Sequence, residues 1–111
     1  MARPNIMLFG DAPFVRARAQ AQEARLEAWL AGVRSSGARL AVVDVGSGTA
    51  IPTVRARAQA VARAHGAPLV RINLREPRVP EGALLREDGG GGGAVELPMA
   101  ALAALRAIVR V

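Results

Sequence analysis

The stretch from Arg39 to Arg55 constrains this chain more than any other. It reads Arg-Leu-Ala-Val-Val-Asp-Val-Gly-Ser-Gly-Thr-Ala-Ile-Pro-Thr-Val-Arg. Leu40 to Val45 is a short, mostly β-branched apolar run, the pattern of a strand covered on both faces in a parallel sheet. Gly46 and Gly48 let the backbone take positive φ and come close to a ligand, and Pro52 suits the first turn of a helix, where no amide hydrogen is needed. The order is therefore strand, glycine turn, helix. Free amides of the turn and the positive end of the helix would face whatever sits above them, a setting that favours a phosphate or a carboxylate. The third glycine of the dinucleotide fingerprint is missing, since Ile51 stands at its place.

The flanking residues extend the same alternation. Asn5 to Phe9 is a second apolar run closed by Gly10-Asp11-Ala12-Pro13, which reads as a strand and a turn. From about Phe14 to Arg34 the period changes, with Ala19, Gln22, Leu26, Trp29, Leu30 and Val33 near one helical face, and Ser35-Ser36-Gly37 ends that helix. After the glycine turn, Val54, Ala58, Val61, Ala62 and His65 form a narrow stripe on a second helix. Pro68 to Asn73 is a third strand. Residues 74–93 turn polar and glycine-rich, with five consecutive glycines at 89–93, and read as a flexible connector without regular structure. Ala94 to Glu96 suits a short edge strand, and Pro98 opens a last helix whose expected buried side is Ala101, Leu102, Leu105, Ile108 and Val109.

Such alternation requires parallel strands joined by right-handed crossovers. The expected fold is a single α/β domain over residues 1–111: a three-layer, Rossmann-like parallel sheet of three to four strands with helices on both faces. Ligands in such sheets gather at the carboxyl ends of the strands, which here carry Gly10-Asp11, Gly46-Ser47-Gly48-Thr49 and Asn73.

Composition removes several classes of chemistry. The chain has no cysteine, so disulfides, thiol nucleophiles and thiolate metal sites are out. Its single histidine, His65, cannot build the usual zinc site, and no metal is expected. His65 stands before Gly66, where an imidazolium can satisfy helix carbonyls, so its expected role is structural. The net charge of +6 rests on arginine alone. Arg16, Arg18, Arg25, Arg34, Arg55, Arg57 and Arg63 are spread along two helices among alanines, with almost no aromatics to stack bases. That argues for solvated helix faces rather than a nucleic-acid surface. No apolar run approaches the roughly 20 residues of a membrane span, and the start lacks a secretory signal's apolar core, so a cytoplasmic protein is expected.

Three segments, taken in order, resemble the final part of a sirtuin catalytic domain: Arg-Pro-Asn-Ile-Met-Leu-Phe-Gly-Asp (3 to 11), Val-Gly-Ser-Gly-Thr-Ala-Ile-Pro (45 to 52) and Arg-Ile-Asn (71 to 73). They are similar to that family's strand ending in Phe-Gly-Glu, its Gly-Thr-Ser turn with a following proline, and its Ile-Asn strand end. The helix after Leu97-Pro98 also fits the family's C-terminal helix. The resemblance implies that Gly46, Ser47, Gly48 and Thr49 line the site of NAD, and that Asn73 bonds the adenine ribose through a carboxamide able to donate and accept. It also implies that Phe9 and Gly10 lie beside an acyl-lysine peptide that pairs with exposed backbone. Asp11 replaces the family's glutamate, Ser47-Gly48 replaces Thr-Ser, and the proline comes one position early. The family's opening glycine-rich loop, Asn-x-Asp segment, catalytic histidine and four-cysteine zinc module have no counterpart here. No catalytic residue is therefore assigned, and the expected activity is that of an NAD-dependent lysine deacylase segment, inactive alone.

Two further readings stand beside this one. A non-catalytic module would use the glycine turn for a nucleotide phosphate or another anion. A structural module would work by association, because three or four strands leave an open sheet edge for a second chain or a second copy to complete.

Overall fold

The computed structural model describes residues 6–8, 10, 12 and 14–109. By contacts it divides into two compact units, Met1–Ala38 and Arg39–Val111.

In the first unit, α1 runs Arg16–Ser35. Its Ala, Gln, Glu, Leu and Arg residues are strong helix formers. The end comes where the sequence places it: the Ser35 and Ser36 hydroxyls donate to the carbonyls of Gly32 and Val33, and Gly37 takes φ 66°. The expected apolar stripe is a different matter. Leu30 is buried, but Leu26 and Trp29 are 42% and 56% exposed. The strand expected at Asn5 to Phe9 is not seen at residues 6–8, which have no regular structure and are exposed, while Asn5 and Phe9 lie outside the described residues.

The second unit is an α/β arrangement, a three-stranded parallel sheet flanked by helices. Strands β1 (Val42–Val45), β2 (Leu69–Ile72) and β3 (Ala94–Leu97) lie side by side in chain order. Helix α2 (Thr53–His65) joins β1 to β2, and α3 (Ala101–Val109) follows β3. The register pairs Val42 with Leu69 and Asp44 with Arg71, then Leu69 with Ala94 and Arg71 with Glu96. Because side chains alternate across a strand, Val42, Asp44, Leu69 and Arg71 share one face. Leu69 packs there with Ala62 of α2 and with Leu84, and Val42, Ala58 and Val79 close around them.

Helix α2 ends in a Schellman motif. Gly66 takes φ 59°, its amide bonds to the Arg63 carbonyl, and the Ala67 amide bonds back to Ala62. Its buried face differs from the expected stripe. Arg55, Ala58 and Ala62 face inward, while Val54 is exposed. Arg55 therefore leaves the group of solvated arginines to which composition assigned it.

Residues 73–93 connect β2 to β3 without a helix or strand, apart from an isolated antiparallel bridge between Leu85 and Gly91. The connector is anchored nonetheless, because Leu84 is part of the core cluster. Two expectations of burial are corrected. β1 is covered on one face only, since Val43 and Val45 are 50% and 45% exposed. On α3 the buried residue is Ala104, whereas Leu102, Leu105, Ile108 and Val109 are exposed.

Candidate functional site

The carboxyl ends of β1 and β2 carry two loops, residues 46–49 and 73–79, locked together by polar side chains. Gly46 extends the ladder, its amide bonding to the Ile72 carbonyl at 2.8 Å, and its φ of 74° then turns the chain out of the sheet. Only a residue at ease in the left-handed region makes this turn without strain. Ser47 follows with its hydroxyl on Asp44 Oδ2 at 2.6 Å. Its carbonyl accepts from Asn73 Nδ2 at 3.0 Å and from Arg55 Nη2 at 2.8 Å.

Asn73 is the hub of the second loop. Its Oδ1 accepts the amides of Arg75 and Glu76, each at 3.0 Å, a turn in which the side chain substitutes for a backbone carbonyl. The carboxamide thus fixes its own loop with one end and the glycine turn with the other. One Nδ2 hydrogen remains beyond the bond to Ser47. Glu76 completes the link: its Oε2 accepts the Thr49 amide at 3.2 Å and its Oε1 accepts the Thr49 hydroxyl. The Thr49 hydroxyl, aided by the Thr49 amide and the Arg55 charge, holds the Glu76 carboxyl below its ordinary value of 4.5. The contact is therefore at full strength near neutrality and weakens as pH falls through that lowered value.

Beneath the loops lies a buried charged layer. Arg71 Nε meets Asp44 Oδ2 at 2.9 Å, with both side chains almost wholly out of water. Arg71 Nη1 donates to the Arg78 carbonyl at 2.9 Å, and Arg55 donates to the carbonyls of Arg78 and Glu76 at 3.2 and 2.6 Å. Among the described residues Asp44 Oδ1, Arg55 Nε and Arg71 Nη2 find no hydrogen-bond partner. Glu96, opposite Arg71 in the register, uses its carboxylate to hold the Val79 amide at 2.7 Å.

The structure thus brings Gly46, Ser47, Gly48, Thr49 and Asn73 into one cluster. Gly10 belongs to the first unit, in a turn with φ 70°, and Phe9 lies outside the described residues. Sequence reasoning passed over Asp44, Arg55, Arg71 and Glu76. A signal for the first and third was present, because Val-Val-Asp-Val and Leu-Val-Arg-Ile each place one opposite charge at the third position of an apolar strand.

The titratable side chains that the loops bring together are the carboxylates of Asp44 and Glu76, each engaged in hydrogen bonds to its neighbours. His65 stands at the far end of α2, about 18 Å along the axis from the helix start. Among the described residues no cluster of His, Asp or Glu could hold a metal ion, and no helix is long and apolar enough to cross a membrane. A shallow concavity of about 570 Å³ lies elsewhere, lined by Arg63, Ala64, Leu85, Arg86, Glu87 and Asp88. Its mixed charges include a pair of their own, Arg86 with Asp88 at 2.8 Å. Comparison with family profiles, curated proteins and solved structures gives no match.

Proposed function

We infer that this chain is a sirtuin-like NAD-binding segment, the C-terminal part of an NAD-dependent protein lysine deacylase, inactive by itself. The observation that carries the reading is the adjacency of the Gly46–Thr49 turn and Asn73 at the carboxyl ends of neighbouring parallel strands, the position where open α/β sheets bind ligands. Two features of these residues support the reading. A side chain built on Gly46 would meet nothing within 4 Å, and one on Gly48 would meet only Glu76 Oε2 at 3.6 Å, so the backbone of the turn is open to close approach on the side that the Glu76 carboxylate does not cover. The remaining Nδ2 hydrogen of Asn73 would be the donor to a ribose oxygen. NAD would supply the glycosidic carbon that the acyl oxygen attacks; this chain would grip the adenosine diphosphate half. The edges that β1 and β3 present among the described residues would accept a further strand from a second chain or copy.

Calorimetric titration of ADP-ribose and of NAD tests the reading. Binding to the wild type, lost in Gly48→Val and weakened in Asn73→Ala with circular dichroism unchanged, is the expected result. No binding by a folded wild type overturns it. The double use of the Asn73 carboxamide in holding the loops favours a second reading, an anion-binding module without a ribose contact. In that case pyrophosphate and ADP-ribose bind equally well, Gly48→Val abolishes both, and Asn73→Ala changes the two alike.

A further inference from the structure

We propose that the Glu76 carboxylate is an internal occupant of the anion seat at the glycine turn, released when a ligand phosphate displaces it. The proposal rests on the nucleotide reading above and adds the device that sets its affinity.

The seat is defined by its donors. Thr49 offers an amide and a hydroxyl on the same side, and the two oxygens of Glu76 take one each. A carboxylate and one edge of a phosphate present the same pair of negatively charged acceptors. The chain therefore fills with its own side chain the place where a ligand anion would bond.

A second observation lies underneath. Arg55 is a buried cation whose hydrogen bonds, among the described residues, all go to carbonyl oxygens, those of Ser47, Glu76 and Arg78, and its Nε finds no partner among them. Arg71 beside it has Asp44, so the two buried guanidiniums share one buried carboxylate. An under-compensated buried charge draws an anion to the nearest accessible surface. In the chain as it stands Glu76 is that anion, and the Arg55 charge is among the causes that keep it ionised.

Release needs no refolding of the loop. The Glu76 amide stays on Asn73 Oδ1 and its carbonyl stays on Arg55 Nη2, so only the side chain has to swing away. Gly48 leaves the space it vacates open, because a side chain there would meet Glu76 Oε2 and nothing else within 4 Å. Ligand affinity is then the intrinsic affinity of the seat reduced by the fraction of molecules in which Glu76 has left it.

The test is calorimetry with ADP-ribose on the full chain, comparing wild type, Glu76→Ala, Glu76→Gln and Glu81→Gln. Glu81 is an exposed carboxylate on the same connector and controls for net charge. Glu76→Ala should bind on the order of threefold or more tighter than wild type, Glu76→Gln should show a smaller gain, and Glu81→Gln none. The glutamine variant keeps the shape and the acceptor should the alanine variant fail to fold. Wild-type binding that Glu76→Gln leaves equal or weaker overturns the proposal while the nucleotide reading stands. A gain in Glu81→Gln equal to that in Glu76→Gln also overturns it, since bulk charge would then suffice. Absence of binding in every folded protein overturns both.

Discussion

Arg71 sits on the central strand of the sheet with its guanidinium out of water, held by Asp44 and by the Arg78 carbonyl. Removing one member of such a pair leaves the other charged and unpaired in a medium that solvates it poorly. Arg71→Ala is expected to cost about 3–5 kcal/mol in a urea titration followed by circular dichroism, enough to unfold much of so small a sheet. The double change Asp44→Leu with Arg71→Met removes both charges together. It should cost less than the sum of the single changes by about 0.5–3 kcal/mol, and strict additivity would show that the two side chains do not act as a unit. Glycine, serine and asparagine at the strand ends were visible in the sequence because their chemistry is local. The partnership of residues 44 and 71 was not, because it depends on a register that only the assembled sheet defines.

At the scale of elements, the strands and α2 were legible where apolar period and punctuation agreed. β1 ends at Val45 and α2 ends at His65, each directly before a glycine with positive φ. The buried face of α2 was misjudged because Arg55 reads as a solvent residue until three carbonyls are brought to it. The run at 89–93 hides a similar difference behind identical letters. A side chain built on Gly92 would overlap the Ala67 carbonyl and stand 2.7 Å from Pro68 N, and one on Gly91 would lie 2.5 Å from the Leu84 carbonyl. A side chain on Gly93 would meet nothing within 4 Å, while the Gly93 carbonyl accepts the Leu69 amide at 2.9 Å. Gly92→Ala should therefore destabilise by about 1–3 kcal/mol, the range for forcing atoms into a packed site. Gly93→Ala should stay within about 0.5 kcal/mol of wild type. Equal midpoints for the two in parallel urea titrations would mean that the connector does not pack on the Ala67–Pro68 turn.

Among the described residues of the Arg39–Val111 unit, three strands in chain order, all parallel, leave β1 and β3 as edges and put the core cluster on the face shared by α2 and the connector. Alternation of periods announced parallel strands joined by helical crossovers; the order of the strands in the sheet and the faces that stay open could not be announced, since both depend on neighbours that a local window does not contain. Val43, Val45 and Val95 remain half exposed for that reason. The proposed nucleotide site draws every residue from the Arg39–Val111 unit, so binding and the stability of that unit are linked. A ligand that binds the folded form alone, present at a hundred times its dissociation constant, stabilises by about 2.7 kcal/mol, which for a unit this small raises the melting midpoint on the order of 10 °C. ADP-ribose should produce such a shift by circular dichroism in wild type, and Gly48→Val should lose it. A melting curve indifferent to saturating ADP-ribose would place any observed binding on something other than the folded sheet, because the two loops that form the site exist only while β1 and β2 are paired.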